Sequence, residues 1–103
     1  MFTVTDAQRR ELDAVCRRTG IARLELTGSA ARGSDFDPAT SDLDLLVEFT
    51  PESRLNAFEF IELGEELGRI LGRSVDLIEL SAVENPIVRE ALARDRKPFH
   101  DAA

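Results

Sequence analysis

The sequence of 103 residues contains no tryptophan and no tyrosine, and it has a single cysteine and a single histidine. One cysteine excludes an internal disulfide. A catalytic thiol would need a histidine partner, and nothing in the sequence links Cys16 to His100 near the other end of the chain. We therefore expect Cys16 to be a half-buried apolar residue in a helix, and His100 to be exposed and inert. No aromatic residue stands out as a stacking platform for a nucleotide base.

Long apolar runs and targeting patterns are also missing. No apolar run approaches the roughly 20 residues of a membrane-spanning helix, and residues 1–10 lack the basic-then-apolar pattern of a signal peptide. Repeats, low-complexity segments and linkers are absent as well. The sequence therefore predicts one cytoplasmic domain over residues 1–103 with no membrane partner, and its 43% of hydrophobic residues is compatible with a packed core.

Positive charge is scarce, because 13 lysine and arginine residues stand against 20 aspartate and glutamate residues, which gives a net charge of −7 at pH 7. Nucleic acids are bound through clustered basic side chains, so direct binding of nucleic acid is not expected. A basic protein partner is compatible with this charge. An acidic site would repel a triphosphate unless a metal ion accompanied it.

Apolar periodicity and cap residues predict alternating helices and strands. Thr5-Asp6-Ala7-Gln8 has the spacing of a capping box, and Gly20 fits the end of the helix that begins there. The predicted helices span residues 5–19, 51–71 and 86–94, the strands span 21–27, 43–49 and 74–80, and a short helical turn at 29–33 and an edge strand at 97–100 complete the order. This order predicts an α/β (α+β) domain with a small mixed sheet and flanking helices.

The second long helix is predicted to begin at Thr50-Pro51, because proline suits the first helical position. It is predicted to end at Gly72. Its apolar side is only loosely marked, by Leu55, Phe58, Ile61 or Glu62, Leu67 and Leu71. Gly64 and Gly68 lie four residues apart on one helical face, which indicates close packing against another element. We expect this helix to offer a partner surface.

Two short motifs indicate the chemistry. The strand that begins at Ile21 runs into Gly28-Ser29, and a later strand opens with Asp42 and Asp44. Side chains alternate along a strand, so the two carboxylates share a face, where they repel unless a cation lies between them. Mg²⁺ takes oxygen ligands and leaves positions open for phosphate, while glycine and turn N–H groups let backbone approach phosphate closely. Together the motifs predict nucleotidyl or phosphoryl transfer.

Asp76 is predicted to add a third carboxylate to this site. Such sites usually use one as a second-metal ligand or as the base for the attacking hydroxyl. Asp76 lies among apolar residues of a predicted strand, where a charge has no packing purpose. If this strand lies beside residues 43–49, Asp76 meets Asp42 and Asp44 on one face. A structural ion pair with Arg73 is the alternative.

Gly28-Ser29, Ala31-Arg32-Gly33, Ser41-Asp42-Leu43-Asp44-Leu45 and the isolated Asp76 resemble the polymerase-β-type nucleotidyltransferases. The nearest resemblance is to the minimal nucleotidyltransferase (MNT) family, and it covers nearly the whole chain. It implies a polymerase-β-like nucleotidyltransferase fold. It also implies that Gly28 and Ser29 contact the phosphates of ATP, that Asp42, Asp44 and Asp76 bind Mg²⁺ as two ions, and that Arg32 has a phosphate or structural role.

The resemblance also implies a partner. Many such stand-alone domains are antitoxins paired with a HEPN-family RNase toxin, and some transfer AMP from ATP to a tyrosine of that toxin. A Mg²⁺-dependent protein adenylyltransferase, in a homo- or hetero-oligomer, is therefore implied. The loop between Ser29 and Asp42 is longer than in the commonest family form, with an extension at 34–38, and we interpret its Asp35-x-Asp37 as part of a turn.

Two other functions stay open at this point. An antitoxin can mask its toxin by binding alone, although the intact Gly28-Ser29 and the three aspartates argue against a catalytic relic. A small-molecule nucleotidyltransferase of the aminoglycoside-modifying kind would need an additional helical domain for its acceptor. The chain is too short for that domain, so a partner polypeptide would have to supply it.

Overall fold

The computed structural model describes residues 4–28, 42–94 and 96–101. Its elements in chain order are α1 (Asp6–Thr19), β1 (Ile21–Thr27), β2 (Leu43–Phe49), α2 (Ala57–Leu71), β3 (Val75–Glu79), a 3₁₀ turn (Leu80–Ala82), α3 (Pro86–Arg94) and β4 (Lys97–Asp101). The predicted order is confirmed for these residues, and the helical turn predicted at 29–33 lies outside them. Within the described ranges, no helix is long and apolar enough to cross a membrane.

The four strands form one mixed sheet in the order β3-β2-β1-β4. β1 runs antiparallel to both of its neighbours, β2 and β4, while β2 and β3 run parallel to each other. The predicted edge strand is therefore confirmed, with Leu24 of β1 opposite His100 of β4. The parallel pairing of β2 and β3 aligns the two strands that begin next to the predicted aspartates.

One face of the sheet packs against α1 and α2 and holds the main core. The strands contribute alternate residues to it, as a half-buried sheet requires. The buried core residues are Leu12, Val15, Cys16, Ile21, Leu24, Leu26, Leu43, Leu45, Val47, Leu63, Leu67 and Leu71. Cys16 is only 1% exposed, so it is more deeply buried than predicted, and burial together with the nearby Asp13 raises its pKa to about 11. The thiol is therefore an apolar core group rather than a nucleophile.

The caps of α1 follow the prediction. The Thr5 hydroxyl accepts from the Gln8 backbone N–H at 3.1 Å, and the Gln8 side chain accepts from the Thr5 N–H at 2.8 Å. Gly20 ends the helix in the left-handed conformation, as expected. The Gln8 side chain also donates to the Ile70 carbonyl at 3.1 Å, so the cap of α1 is joined to the end of α2.

The predicted start of α2 at Pro51 is wrong. Pro51 and Glu52 form a turn, and the helix begins at Ala57 with Asn56 as its cap. The Asn56 side chain accepts from the Glu59 N–H at 2.8 Å, and the Glu59 carboxylate accepts from the Asn56 N–H at 3.0 Å. This capping box satisfies two N–H groups that would have no partner at the helix start, which outweighs the preference of proline for the first turn.

The predicted apolar stripe of α2 is also partly wrong. Leu63, Leu67 and Leu71 are buried, whereas Phe58 and Ile61 are 69% and 62% exposed. The glycine prediction is confirmed at Gly68, where a Cβ would lie 2.9 Å from the Arg73 carbonyl oxygen. The side of α2 that carries Gly64 and Gly68 therefore packs against β3 and against the residues that lead into this strand. Ile61 lies three residues before Gly64, next to this side of the helix, and stays exposed, so the partner surface predicted on α2 stays a prediction.

Candidate functional site

The face of the sheet opposite α1 and α2 carries a row of polar residues across three adjacent strands. Thr27 of β1 is directly opposite Asp44 of β2, and Asp44 is directly opposite Asp76 of β3. Residues paired in this way lie about 5 Å apart and point to the same side of the sheet. The register thus brings together two of the three predicted carboxylates, from positions 32 residues apart in the chain.

Asp42 lies one residue before β2 and is exposed. It is two residues from Asp44, the spacing that places side chains on one face where the strand alternation extends to them. The start of β2 is fixed next to β3 because the Leu43 N–H donates to the Ser74 carbonyl at 2.9 Å. Among the residues that the structure describes, no three His, Cys, Asp or Glu side chains are gathered into a ready metal cluster. The carboxylates therefore line one face without forming a closed three-ligand set.

Gly28 brings the end of β1 against Asp44. Its φ of +65° lies in the left-handed region, and a Cβ built on it would lie 2.6 Å from the Asp44 Oδ2 atom. A side chain at this position would be strained and would also collide with the carboxylate. Glycine is therefore required for the backbone to approach Asp44 this closely. Ser29 and Arg32 lie outside the described residues, so their phosphate contacts stay predictions.

These residues fit a divalent metal ion with a phosphate. Carboxylate oxygens are the ligands that Mg²⁺ prefers, and the absence of a side chain at Gly28 lets the backbone lie close to Asp44. Asp76 is exposed on the outermost strand, next to β2, so an incoming molecule can reach it. Exposed carboxylates on neighbouring strands are the kind of groups that can hold a metal ion accompanying a phosphate compound.

Thr27 is a residue of this row that the sequence did not single out. It is completely buried, and its hydroxyl donates to the Leu92 carbonyl of α3 at 2.8 Å. Its place beside Asp44 follows from the register of β1 and β2, which no local sequence pattern reveals. Two residues earlier on the same face, Glu25 is 7% exposed and accepts a hydrogen bond from the Arg96 Nε at 3.1 Å.

Glu25 and Arg96 form an ion pair as well as a hydrogen bond. The hydrogen bond from the guanidinium to Glu25 raises the pKa of Arg96 above its ordinary value, against the opposing effect of burial. The Arg96 guanidinium therefore stays charged at any physiological pH. Together with the Thr27–Leu92 bond, it fixes α3 and the segment that leads into β4 onto the face that carries the aspartates.

A comparison with protein families assigns residues 9–98 to a model described as the nucleotidyltransferase domain. The chain belongs to this family. It is an enzyme family whose members act on a nucleotide together with a divalent metal, in agreement with the donor groups on the Asp44 face. One relative of this nucleotidyltransferase is the protein adenylyltransferase MntA of Thermococcus cleftensis, 33% identical over 90 residues that cover 87% of this chain and 84% of the relative.

Solved structures show the same fold. A protein provisionally named a minimal nucleotidyltransferase is 32% identical, with a TM-score of 0.67 and coverage of 90% of each chain. A chain from the complex of the tri-AMPylated Shewanella oneidensis HEPN toxin with an MNT antitoxin is 18% identical, with a TM-score of 0.62 over 92% of this chain and 71% of that chain. The predicted MNT-type fold is therefore confirmed.

Proposed function

We propose that this nucleotidyltransferase transfers AMP from ATP to a hydroxyl of a partner protein and thereby acts as an antitoxin. The partner is an RNase toxin of the HEPN type, and the acceptor is a tyrosine. The observation that carries the proposal is the alignment of Asp44 with Asp76 beside the Gly28 turn. Support comes from the relative named a protein adenylyltransferase and from the fold neighbour found with an AMPylated toxin.

In this proposal Asp42, Asp44 and Asp76 would hold two Mg²⁺ ions. Bound there, Mg²⁺ would supply the positive charge that a chain with a net charge of −7 needs to accept a triphosphate, and would favour the ionised acceptor oxygen. Gly28 and Ser29 hold phosphate oxygens through backbone N–H groups and the serine hydroxyl. Arg32 is assigned a further phosphate contact.

The exposed position of Asp76 suits the role of the general base. The acceptor oxygen attacks the α-phosphorus of ATP, and the new oxygen–phosphorus bond forms as the bond to pyrophosphate breaks. The proton of the hydroxyl passes to the Asp76 carboxylate, and the products are the AMP ester of the partner and pyrophosphate. Asp44 lies between Gly28 and Asp76, so it is assigned to the nucleotide side of the reaction, whereas Asp76 faces the acceptor.

The proposed setting is the cytoplasm, with the chain acting as one domain over residues 1–103 in a hetero-oligomer with its toxin. Direct contact with nucleic acid or a membrane is not part of the proposal. The net charge of −7 argues against direct binding of nucleic acid. The exposed apolar side chains of Phe58 and Ile61 on α2 and of Ile87 and Val88 on α3 support contact with a protein partner. Apolar residues of this kind suit a protein interface.

The test uses the purified protein, the candidate toxin, Mg²⁺ and ATP labelled at the α-phosphate. The wild type is compared with Asp42→Asn/Asp44→Asn and with Glu11→Gln, an exposed control on α1 that also removes a negative charge. Label on the toxin with the wild type and the control, and none with the double variant, supports the proposal. A tight complex that silences the toxin without label would instead indicate an antitoxin that works by binding alone, and label on an aminoglycoside would indicate a small-molecule enzyme.

A further inference from the structure

We infer that Thr27 is a positioning residue, which holds Asp44 and the Gly28 turn in place by anchoring α3 across the end of β1. Thr27 lies directly opposite Asp44 and directly precedes Gly28 in the chain. It is therefore next to both parts of the predicted site, as the cross-strand partner of Asp44 and as the chain neighbour of Gly28. This inference rests on the proposed function for its activity readout only.

The anchor itself is a single part-buried hydrogen bond. The Thr27 side chain is completely buried, and its hydroxyl donates to the Leu92 carbonyl at 2.8 Å. α3 ends at Arg94, so Leu92 lies in its last turn, where carbonyl groups have no partner within the helix. The hydroxyl satisfies one of these carbonyls, which lies in a part-buried contact, and its loss would leave the carbonyl without this partner. The end of α3 is thus tied to β1 at the row of polar residues.

The consequence for Asp44 follows from its close surroundings. The carboxylate lies between the Gly28 backbone, where a Cβ would come within 2.6 Å of it, and the neighbouring strand β3. A shift of β1 would therefore change the distance between the Gly28 backbone and this carboxylate. Because a misplacement of about 1 Å can cost on the order of 100-fold in rate, a small displacement of Thr27 acts on catalysis through Asp44.

Glu25 provides a matched control on the same strand. It points to the same face two residues earlier, is also buried, and binds Arg96 in the segment before β4. Its cross-strand partner is Leu46 rather than Asp44. The Glu25–Arg96 pair therefore anchors the chain near α3 without lying beside the carboxylates. Loss of this pair reports the purely structural effect of loosening the same region.

The experiment compares Thr27→Val, Thr27→Ser and Glu25→Gln with the wild type. For each variant we measure kcat and KM for ATP in AMP transfer to the toxin, the thermal midpoint, and amide hydrogen exchange over 21–28, 42–49 and 86–94. Thr27→Val keeps the shape but loses the donor, and we expect kcat to fall by about 10-fold or more while KM for ATP changes less than about threefold. Exchange should become faster in α3 and around Asp44. Thr27→Ser keeps the hydroxyl donor, so its kcat and its hydrogen exchange should stay close to those of the wild type.

Glu25→Gln should lower the thermal midpoint and leave kcat within about twofold of the wild type. A folded Thr27→Val variant with wild-type kcat would overturn the inference, as would equal losses in Thr27→Ser and Thr27→Val. If Thr27→Val does not fold, the same comparison is made between Thr27→Ala and Thr27→Ser. If the wild type transfers no AMP, the proposed function fails separately. Hydrogen exchange then tests whether Thr27 holds Asp44 in place, because unchanged exchange around Asp44 in Thr27→Val would refute this role.

Discussion

The two faces of the sheet differ although the same strands build them. On β2, Leu43, Leu45 and Val47 are buried against α1 and α2, whereas Asp44 lies on the opposite face in line with Thr27 and Asp76. Along β2 the core residues thus alternate with Asp44, and Leu46 is a buried apolar residue on the face of Asp44. A slip of one residue in the pairing would exchange the two sets, so the apolar face also fixes the register on which the polar row depends.

The faces also differ in how they are covered. The apolar face carries two helices of 14 and 15 residues. The polar face is joined to the shorter α3 and the segment before β4 through Thr27–Leu92 and Glu25–Arg96. Loss of a core contact acts on stability, whereas loss of a polar atom in the row acts on the chemistry proposed there. Substitutions on the two faces should therefore separate stability from activity.

The largest separation is expected at Asp44. Asp44→Asn keeps the size of the side chain but removes the charge that holds a metal, so AMP transfer should fall by at least about 100-fold, the upper range for loss of a residue that only supports a metal ligand. The thermal midpoint should change little. Transfer assays on the folded variant check this, with Glu48→Gln as an exposed control on the same strand. Wild-type activity in Asp44→Asn would contradict the assignment of the catalytic site to the face of the sheet that carries Asp44.

The adjacent residue should behave in the reverse manner. Leu45 is completely buried, so Leu45→Ala should lower the free energy of unfolding by about 2–5 kcal/mol. Urea unfolding followed by circular dichroism measures this value. The fraction that remains folded should transfer AMP at nearly the wild-type rate. Leu45→Met, which conserves volume, should cost less than about 1.5 kcal/mol, and a large loss of activity in folded Leu45→Ala would show that the two faces are not independent.

The apolar face should respond to pH through Cys16. Its pKa is raised from 9.0 to about 11 by burial and by Asp13, so the unfolded chain loses the thiol proton before the folded chain does. Stability from this group is therefore constant below pH 9 and is lost as the pH rises from 9 to 11. The loss approaches about 2–3 kcal/mol above pH 11. Urea midpoints across this range should show the fall in the wild type, and Cys16→Ala should lack this component.

Two glycines sharpen the comparison at the smallest scale. Gly28 and Gly72 both have positive φ, but a Cβ at Gly28 would meet Asp44, whereas one at Gly72 would meet nothing within 4 Å. Alanine should cost each about 1–2 kcal/mol of stability through backbone strain. Only Gly28→Ala should also lower AMP transfer, by about 10-fold. Equal activities in the two folded variants would contradict the close approach to Asp44.

Local signals in the sequence were sufficient for most of the elements. The capping box at Thr5, the strand predicted at 43–49 and the helix predicted at 86–94 each depend on neighbours in the chain, and the structure has all three. The start of α2 was missed because two valid signals compete there. Proline favours the first turn at Pro51, but the reciprocal bonds of Asn56 and Glu59 satisfy more backbone groups.

The site was predictable only as far as its motifs reach. Asp44 follows from a local pattern, and Asp76 follows from a charge among apolar residues, although its partner strand had to be assumed. Thr27 could not be predicted, because its role depends on its pairing with Asp44 and on a carbonyl 65 residues away. The exposure of Phe58 and Ile61 was likewise missed, since it follows from the direction in which α2 packs.

The most direct test of the account is the position of the metal. Crystals grown with Mn²⁺ and a non-hydrolysable ATP analogue would show the ion by anomalous scattering. The account predicts a peak within coordination distance of the Asp44 and Asp76 carboxylates, on the face of the sheet that carries Thr27, and no peak there for Asp44→Asn. A nucleotide bound on another surface, or bound without metal near Asp44 in crystals of active protein, would contradict it.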